Sequence, residues 1–148
     1  ERFKLEYVDE DGSYKRPVMI HRAILGSIER FLGVYLEHCG GDFPLWLAPI
    51  QVIILPVSEK FSEYGRKVKE RLSSVGIRAE LDVRSEKIGA KIRNAETKKI
   101  NVMLIVGERE AEVDEVSVRR RFVGNKGQIS IDSLIEELTI EIKQRRRT

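Results

Sequence analysis

Val52-Ile53-Ile54-Leu55 is an unbroken apolar run that ends at Pro56 and passes into Val57-Ser58. A run this short, with no polar alternation, reads as a strand buried on both faces. Ser58 then offers an N-cap for a helix reaching Ser74, with Phe61, Tyr64, Val68 and Leu72 on one face. Gly76 ends that helix, and Ile77 to Val83 reads as the next strand. Ile88, Lys91, Ile92 and Ala95 suit a second helix, and Val102 to Val106 is another buried strand, followed by Gly107. Val116 and Val118 alternate with polar neighbours in a further strand. Ser133 to Arg146 reads as a terminal helix with Leu134, Ile135, Leu138 and Ile142 inward. The order β-α-β-α-β-β-α predicts an α/β fold over 51–148, a mixed β-sheet flanked by about three helices.

Upstream the pattern differs. Phe3-Lys4-Leu5-Glu6-Tyr7-Val8 alternates like a half-buried strand, Asp9 to Gly12 is a turn, and Arg16-Pro17-Val18-Met19-Ile20 reads as the second strand of a hairpin. Ser27 can cap a helix carrying Ile28, Phe31, Leu32, Tyr35 and Leu36, which Gly40-Gly41 stops. Two strands and one amphipathic helix cannot bury a core alone. Residues 1–42 are therefore expected to be the incomplete end of a larger domain. The stretch 43–50, apolar and interrupted by Pro44 and Pro49, is expected to be a packed linker.

Composition excludes several classes. With 41% hydrophobic and 34% charged residues among 148, the chain supports a packed core and is unlike a disordered one. The net charge is only +3, but it is unevenly placed: residues 1–50 hold 6 basic and 8 acidic side chains, residues 51–148 hold 21 and 16. A polyanion is thus expected to meet the second part. Cys39, the single cysteine, allows neither an internal disulfide nor a cysteine-based metal cluster. No apolar run approaches the roughly 20 residues that span a membrane. The start, Glu1-Arg2-Phe3-Lys4, lacks both Met and a signal-peptide layout. A fragment or processed chain, cytoplasmic in location, is the expectation.

The segment His21-Arg22-Ala23-Ile24-Leu25-Gly26-Ser27-Ile28-Glu29-Arg30-Phe31 is a strand-like stretch entering a helix, with Gly at the junction and Arg one turn in. It resembles the third signature motif of class II aminoacyl-tRNA synthetases. Together with Arg16-Pro17-Val18-Met19-Ile20 and Phe43-Pro44-Leu45-Trp46-Leu47-Ala48-Pro49, it is similar to the threonyl-tRNA synthetase family, and the resemblance runs to the end of the chain. It implies a parent enzyme that attaches threonine to its tRNA with ATP through a threonyl-adenylate. Arg30 matches the catalytic and ATP-binding arginine, and a guanidinium suits that role because it pairs bidentately with phosphate and stacks on a base. Ser27 matches a position lining the substrate pocket. His21 matches one of three protein ligands of a catalytic zinc that tells threonine from valine by its hydroxyl. The other two ligands, a Cys and a His, lie earlier in the family's chain, and His38 and Cys39 do not match them. The 148 residues alone are therefore expected to retain neither zinc nor ATP and to be inactive. The family also implies a homodimer in the complete enzyme and no membrane partner.

From about Gln51 the chain resembles the anticodon-binding domain shared with the prolyl, glycyl and histidyl enzymes. The unstacked bases of an anticodon expose their edges to side chains. Positions matching Ser85, Arg93, Glu110 and Arg119 contact them in the threonyl enzymes. Ser85 departs from the Asn of well-known members and offers one hydroxyl in place of an amide. Arg93 and Arg119 suit guanine edges or phosphate, and Glu110 suits an exocyclic amine. Each also has a plainer reading. Arg93 can pair with Glu96 at i, i+3, and in Arg119-Arg120-Arg121 the middle residue points away from the other two, so at least one is expected to be a plain surface charge. The terminal Arg145-Arg146-Arg147 reads as a solubilising helix end favoured by the helix dipole. A non-catalytic RNA-binding module derived from a synthetase is the competing function.

Overall fold

The apolar runs and their register build one five-stranded sheet. The computed structural model describes residues 3–145, in two compact units that divide between Tyr35 and Leu36. In the second unit the strands are β3 (Val52–Pro56), β4 (Ala79–Leu81), β5 (Val102–Val106), β6 (Glu115–Arg120) and β7 (Gly124–Ser130), ordered β4-β3-β5-β6-β7. β3 runs parallel to β4 and β5, and β6 and β7 are antiparallel to their neighbours. The sheet is mixed, as the element order predicts.

The helices are α2 (Ser62–Ser74), α3 (Ile88–Thr97), the short α4 (Glu108–Val113) and α5 (Ile131–Gln144). Ser58 caps a 3₁₀ turn at Glu59–Phe61 that leads into α2, and Ser130 caps α5 by accepting from the Ser133 backbone N–H at 3.3 Å. Two apolar layers result. Val68 and Leu72 of α2 and Leu134 and Leu138 of α5 pack on Val52, Ile54, Leu104, Val116 and Val118. On the other face Ala95, Ile88 and Ile92 of α3 pack on Ile53, Leu55 and Met103. α3 thus covers β3 and β5 and not β6 and β7, whose face on that side is reached at one end by Glu110 of α4.

Two features depart from the sequence pattern. β7, Gly-Asn-Lys-Gly-Gln-Ile-Ser, lacks an apolar run because most of it is exposed, and Gly124 and Gly127 take φ of +90° and +95°. α4 falls where only a strand end was expected. The linker is packed: Leu45 and Ala48 are buried, and the buried Gln51 amide donates to Leu45 O and accepts from Arg78 N, both at 2.9 Å.

The first unit holds β1 (Tyr7–Val8), β2 (Tyr14–Lys15) and the start of α1 (Ile28–Cys39). Its hairpin is shorter than the alternation predicts, and Arg16 to Ile20 is not a strand. A two-residue ladder with no third strand has nothing to extend against. Phe3, Val18 and Ile20 are each more than four-fifths exposed, and α1 has no buried residue. Gly40 and Gly41 end α1 with left-handed φ of +56° and +75°.

Candidate nucleic-acid interface

The uncovered face of β6 and β7 has a polar lining set by strand alternation. Ser117 and Arg119 point to the α3 side, Val116 and Val118 to the opposite core. Ser117 lies opposite Gln128 of β7, and Arg119 lies opposite Met103 of β5.

Glu110 closes the upper end of this face. Its Oε2 accepts from the Gly107 backbone N–H at 3.0 Å. Its Oε1 accepts from the Ser117 hydroxyl at 2.7 Å and the Gln128 amide at 3.0 Å. Burial pushes the carboxyl up, but these three donors outweigh it and hold the group below its ordinary value. Both oxygens are therefore engaged. The carboxylate thereby orients the Ser117 hydroxyl and the Gln128 amide. A carboxylate can only meet the N–H end of an amide, so the Gln128 oxygen faces away from it.

At the lower end Arg119 donates through Nη2 to Glu96 of α3 at 3.1 Å. The expected Arg93–Glu96 pair does not form. Arg93, exposed one turn earlier on α3, has no ion-pair partner among the described residues. In Arg119-Arg120-Arg121 each side chain is ion-paired. Arg120 is buried and bridges Glu137 at 3.1 Å and Glu141 at 2.7 Å on α5, and Arg121 pairs with Asp42.

Ser85 stands apart, in the loop before α3. It lines a cleft of about 520 Å³ with Ser58, Ser62, Lys87 and Lys91. Two groups missed in the sequence fix this loop. Arg84 donates to both oxygens of Asp82, at 2.9 and 2.6 Å, and this bonding holds the Asp82 carboxyl below its ordinary value despite burial. The buried Lys91 ammonium donates to Pro56 O and Asp82 O at 3.0 and 3.2 Å, tying the ends of β3 and β4. A lysine on the inward stripe of an otherwise apolar helix face was the available signal. Ser85 and Glu96 thus mark opposite ends of α3, whose ten residues span about 15 Å.

In the first unit Ser27 caps α1, its Oγ accepting from Arg30 N at 3.1 Å, and Gly26 makes the junction with φ of +64°. His21, Ser27 and Arg30 are all exposed. Among the described residues no group of three or more His, Cys, Asp or Glu side chains is placed to hold a metal. His21 as it stands does not form a zinc site. Arg145 caps α5 with its guanidinium 5.4 Å from the Trp46 ring centre, and Arg146 and Arg147 lie outside the described residues.

Comparison with known proteins identifies both parts. Residues 51–141 match the family model of the anticodon binding domain, and residues 1–39 match that of the tRNA synthetase class II core domain (G, H, P, S and T). The threonine–tRNA ligase of Caldanaerobacter subterraneus subsp. tengcongensis is 58% identical over 142 residues, 96% of this chain and 22% of that protein. That of Thermus thermophilus is 51% identical over 146 residues, 99% of this chain and 22% of that protein. The chain therefore spans about a fifth of the length of these relatives. A crystal structure of the RNA binding domain of threonyl-tRNA synthetase from Cryptosporidium parvum superposes with a TM-score of 0.83 at 41% identity, over 95% of this chain and 36% of that one. Prolyl-tRNA synthetase from the same organism gives a TM-score of 0.62 at 29% identity, over 68% of this chain and 22% of that one. The chain belongs to the anticodon-binding-domain family, preceded by the end of a class II synthetase core, and along its length its homologues are threonyl-tRNA synthetases.

Proposed function

We propose that the chain is the C-terminal part of a threonine–tRNA ligase and that the face beside α3 reads the anticodon of threonine tRNA. The observation that carries this reading is the half of the sheet that α3 does not cover, where Arg119, Ser117, Gln128 and Glu110 are hydrogen-bonded into fixed positions next to an Arg93 without an ion-pair partner among the described residues. Preorganised donors and acceptors on an open surface suit the edges of splayed bases. In this reading Arg93 and Arg119 meet guanine edges or phosphate, and Ser85 meets a base from the other end of α3. Domain limits of 1–42, 43–50 and 51–148 follow the same division of labour.

In the complete protein Arg30 would pair with ATP phosphate and stabilise charge as the threonine carboxylate attacks the α-phosphate. Its helix start is fixed by the Ser27 cap, which leaves the Ser27 proton free to donate into the substrate pocket. A zinc ion would need two ligands from elsewhere in the protein besides His21. Homodimer formation and a cytoplasmic location accompany this reading. No helix among the described residues is long and apolar enough to cross a membrane. Continuity of the similarity across both parts favours the ligase over a stand-alone RNA-binding module.

The test is titration of the chain with threonine anticodon stem-loops, cognate and base-substituted, at two salt concentrations. Arg119→Ala should weaken cognate binding by roughly 1–3 kcal/mol and other anticodons less. A uniform loss, with a smaller salt slope, would reduce Arg119 to a phosphate contact. No preference for the cognate loop in the unsubstituted chain would sink the reading.

A further inference from the structure

The turn between β6 and β7 keeps an aromatic side chain where the backbone disfavours one. Phe122 has φ of +64°, a left-handed conformation that bulky residues rarely adopt. Its side chain does not compensate by packing, since Phe122 is 82% exposed and its neighbour Val123 67%. Strain of this kind at an exposed position marks a site where function outweighs stability.

The surroundings say what that function is. The Arg121 guanidinium lies over one face of the Phe122 ring, 4.4 Å from its centre, and is itself anchored by the Asp42 carboxylate. The Arg121 backbone N–H donates to Asn101 O at 3.1 Å, fixing the base of the turn. One ring face is thus occupied by a cation and held. The turn also borders a cleft of about 440 Å³ lined by Glu96, Arg119, Arg121, Phe122, Val123 and Gly124. A flat apolar surface flanked by two guanidinium groups fits a ligand that is both flat and anionic. An apolar protein segment would satisfy the ring but not the Arg119 guanidinium, whose buried Nε has no hydrogen-bond partner among the described residues. An unpaired nucleotide satisfies both.

We infer that Phe122 is a stacking platform for one unpaired base of the bound RNA, placed so that Arg119 meets that nucleotide from the cleft. The inference rests on the anticodon-reading assignment and adds a contact to it. It also predicts an unusual pairing of effects. Phe122→Gly removes the ring and relieves the left-handed strain, so RNA affinity falls while the fold is not weakened.

The experiment measures thermal midpoints of the full chain and its affinity for the threonine anticodon stem-loop. The probes are the intact loop and a series with one abasic nucleotide at each loop position. Phe122→Gly should bind the intact loop roughly tenfold more weakly with an unchanged or higher midpoint. Phe122→Trp should stay within about twofold. One abasic position should reproduce the tenfold loss in the unsubstituted chain and add nothing to Phe122→Gly. Undiminished binding by Phe122→Gly, while Arg119→Ala still weakens it, overturns the stacking role and leaves anticodon reading intact. An equal loss in Phe122→Trp, or a lowered midpoint in Phe122→Gly, also overturns it. If Arg119→Ala and Phe122→Gly both bind as the unsubstituted chain does, the RNA-reading assignment falls with it.

Discussion

Glu110 shows how one carboxylate can gather partners from three elements. The family resemblance implied a carboxylate offered to a base, and the structure gives that carboxylate three donors from the chain itself. The partners come from a helix start, from β6 and from β7, up to 18 residues away in sequence. No local pattern foretells such convergence. The bonding has a pH signature. Because the folded carboxyl is held below its ordinary value of 4.5, the unfolded chain takes up the proton first as pH falls. Glu110 therefore contributes stability throughout the neutral range and loses it as pH drops from about 4.5 through its lower folded value. Asp82, held down by Arg84 from 3.8, adds a second loss at slightly lower pH. Glu110→Gln should cost about 1–2 kcal/mol at pH 7, since an amide cannot accept from all three donors. Denaturant melts across pH 3–7 should show a shallower acid decline in Glu110→Gln, and an unchanged slope would contradict this account.

Element by element, what could be read in the sequence followed hydrophobic pattern. β3 and β5 announced themselves as Val52-Ile53-Ile54-Leu55 and Val102 to Val106 because both faces of each are covered. α2 and α5 did so through their inward stripes. β7 was silent because its neighbour supplies the ladder and solvent covers most of it, so nothing selects an apolar run. The candidate site followed the same logic. Arg119 and Arg120 were separable by alternation, but the pairing of Arg120 with α5 depends on packing that sequence does not display. That pairing gives a prediction for the element as a whole. Arg120 is buried and its Nε, like Glu141 Oε1, lacks a partner. A buried ion pair with leftover polar atoms is poor as a stabiliser but costly to break. Arg120→Leu should destabilise by about 3 kcal/mol, and adding Glu141→Leu should restore most of it. Stem-loop affinity of the folded protein should not change, which separates Arg120 from its neighbour Arg119. A double variant as unstable as the single one would show that the pair is favourable in itself.

At the scale of the molecule, charge and burial divide the chain in the same place. The modest net charge of +3 conceals an acidic first part, 6 basic and 8 acidic side chains in residues 1–42, and a basic second one, 21 and 16 in residues 43–148, and among the described residues the buried apolar side chains, from Leu45 to Leu138, all lie in the second part. The first 35 residues have their own hairpin, in which Lys15 pairs with Asp9 and Asp11, and a stacked Phe31–Tyr35 pair, but no core. Tolerance to truncation follows burial and hydrogen bonding of the affected backbone. The cut must spare Gly40, whose carbonyl accepts from Lys99, and Asp42 and Phe43, which bond Arg121 and Asn101. A chain shortened to residues 36–148 keeps all of these. It should melt in one cooperative transition within a few degrees of the full chain, because it gives up almost no buried apolar area. Its affinity for the cognate stem-loop should also be retained, since Ser85, Arg93, Glu110, Arg119 and Phe122 all remain. A large fall in the midpoint would mean that the first 35 residues support the sheet. A loss of affinity at an unchanged midpoint would instead place part of the RNA contact among their six basic side chains, Arg2, Lys4, Lys15, Arg16, Arg22 and Arg30.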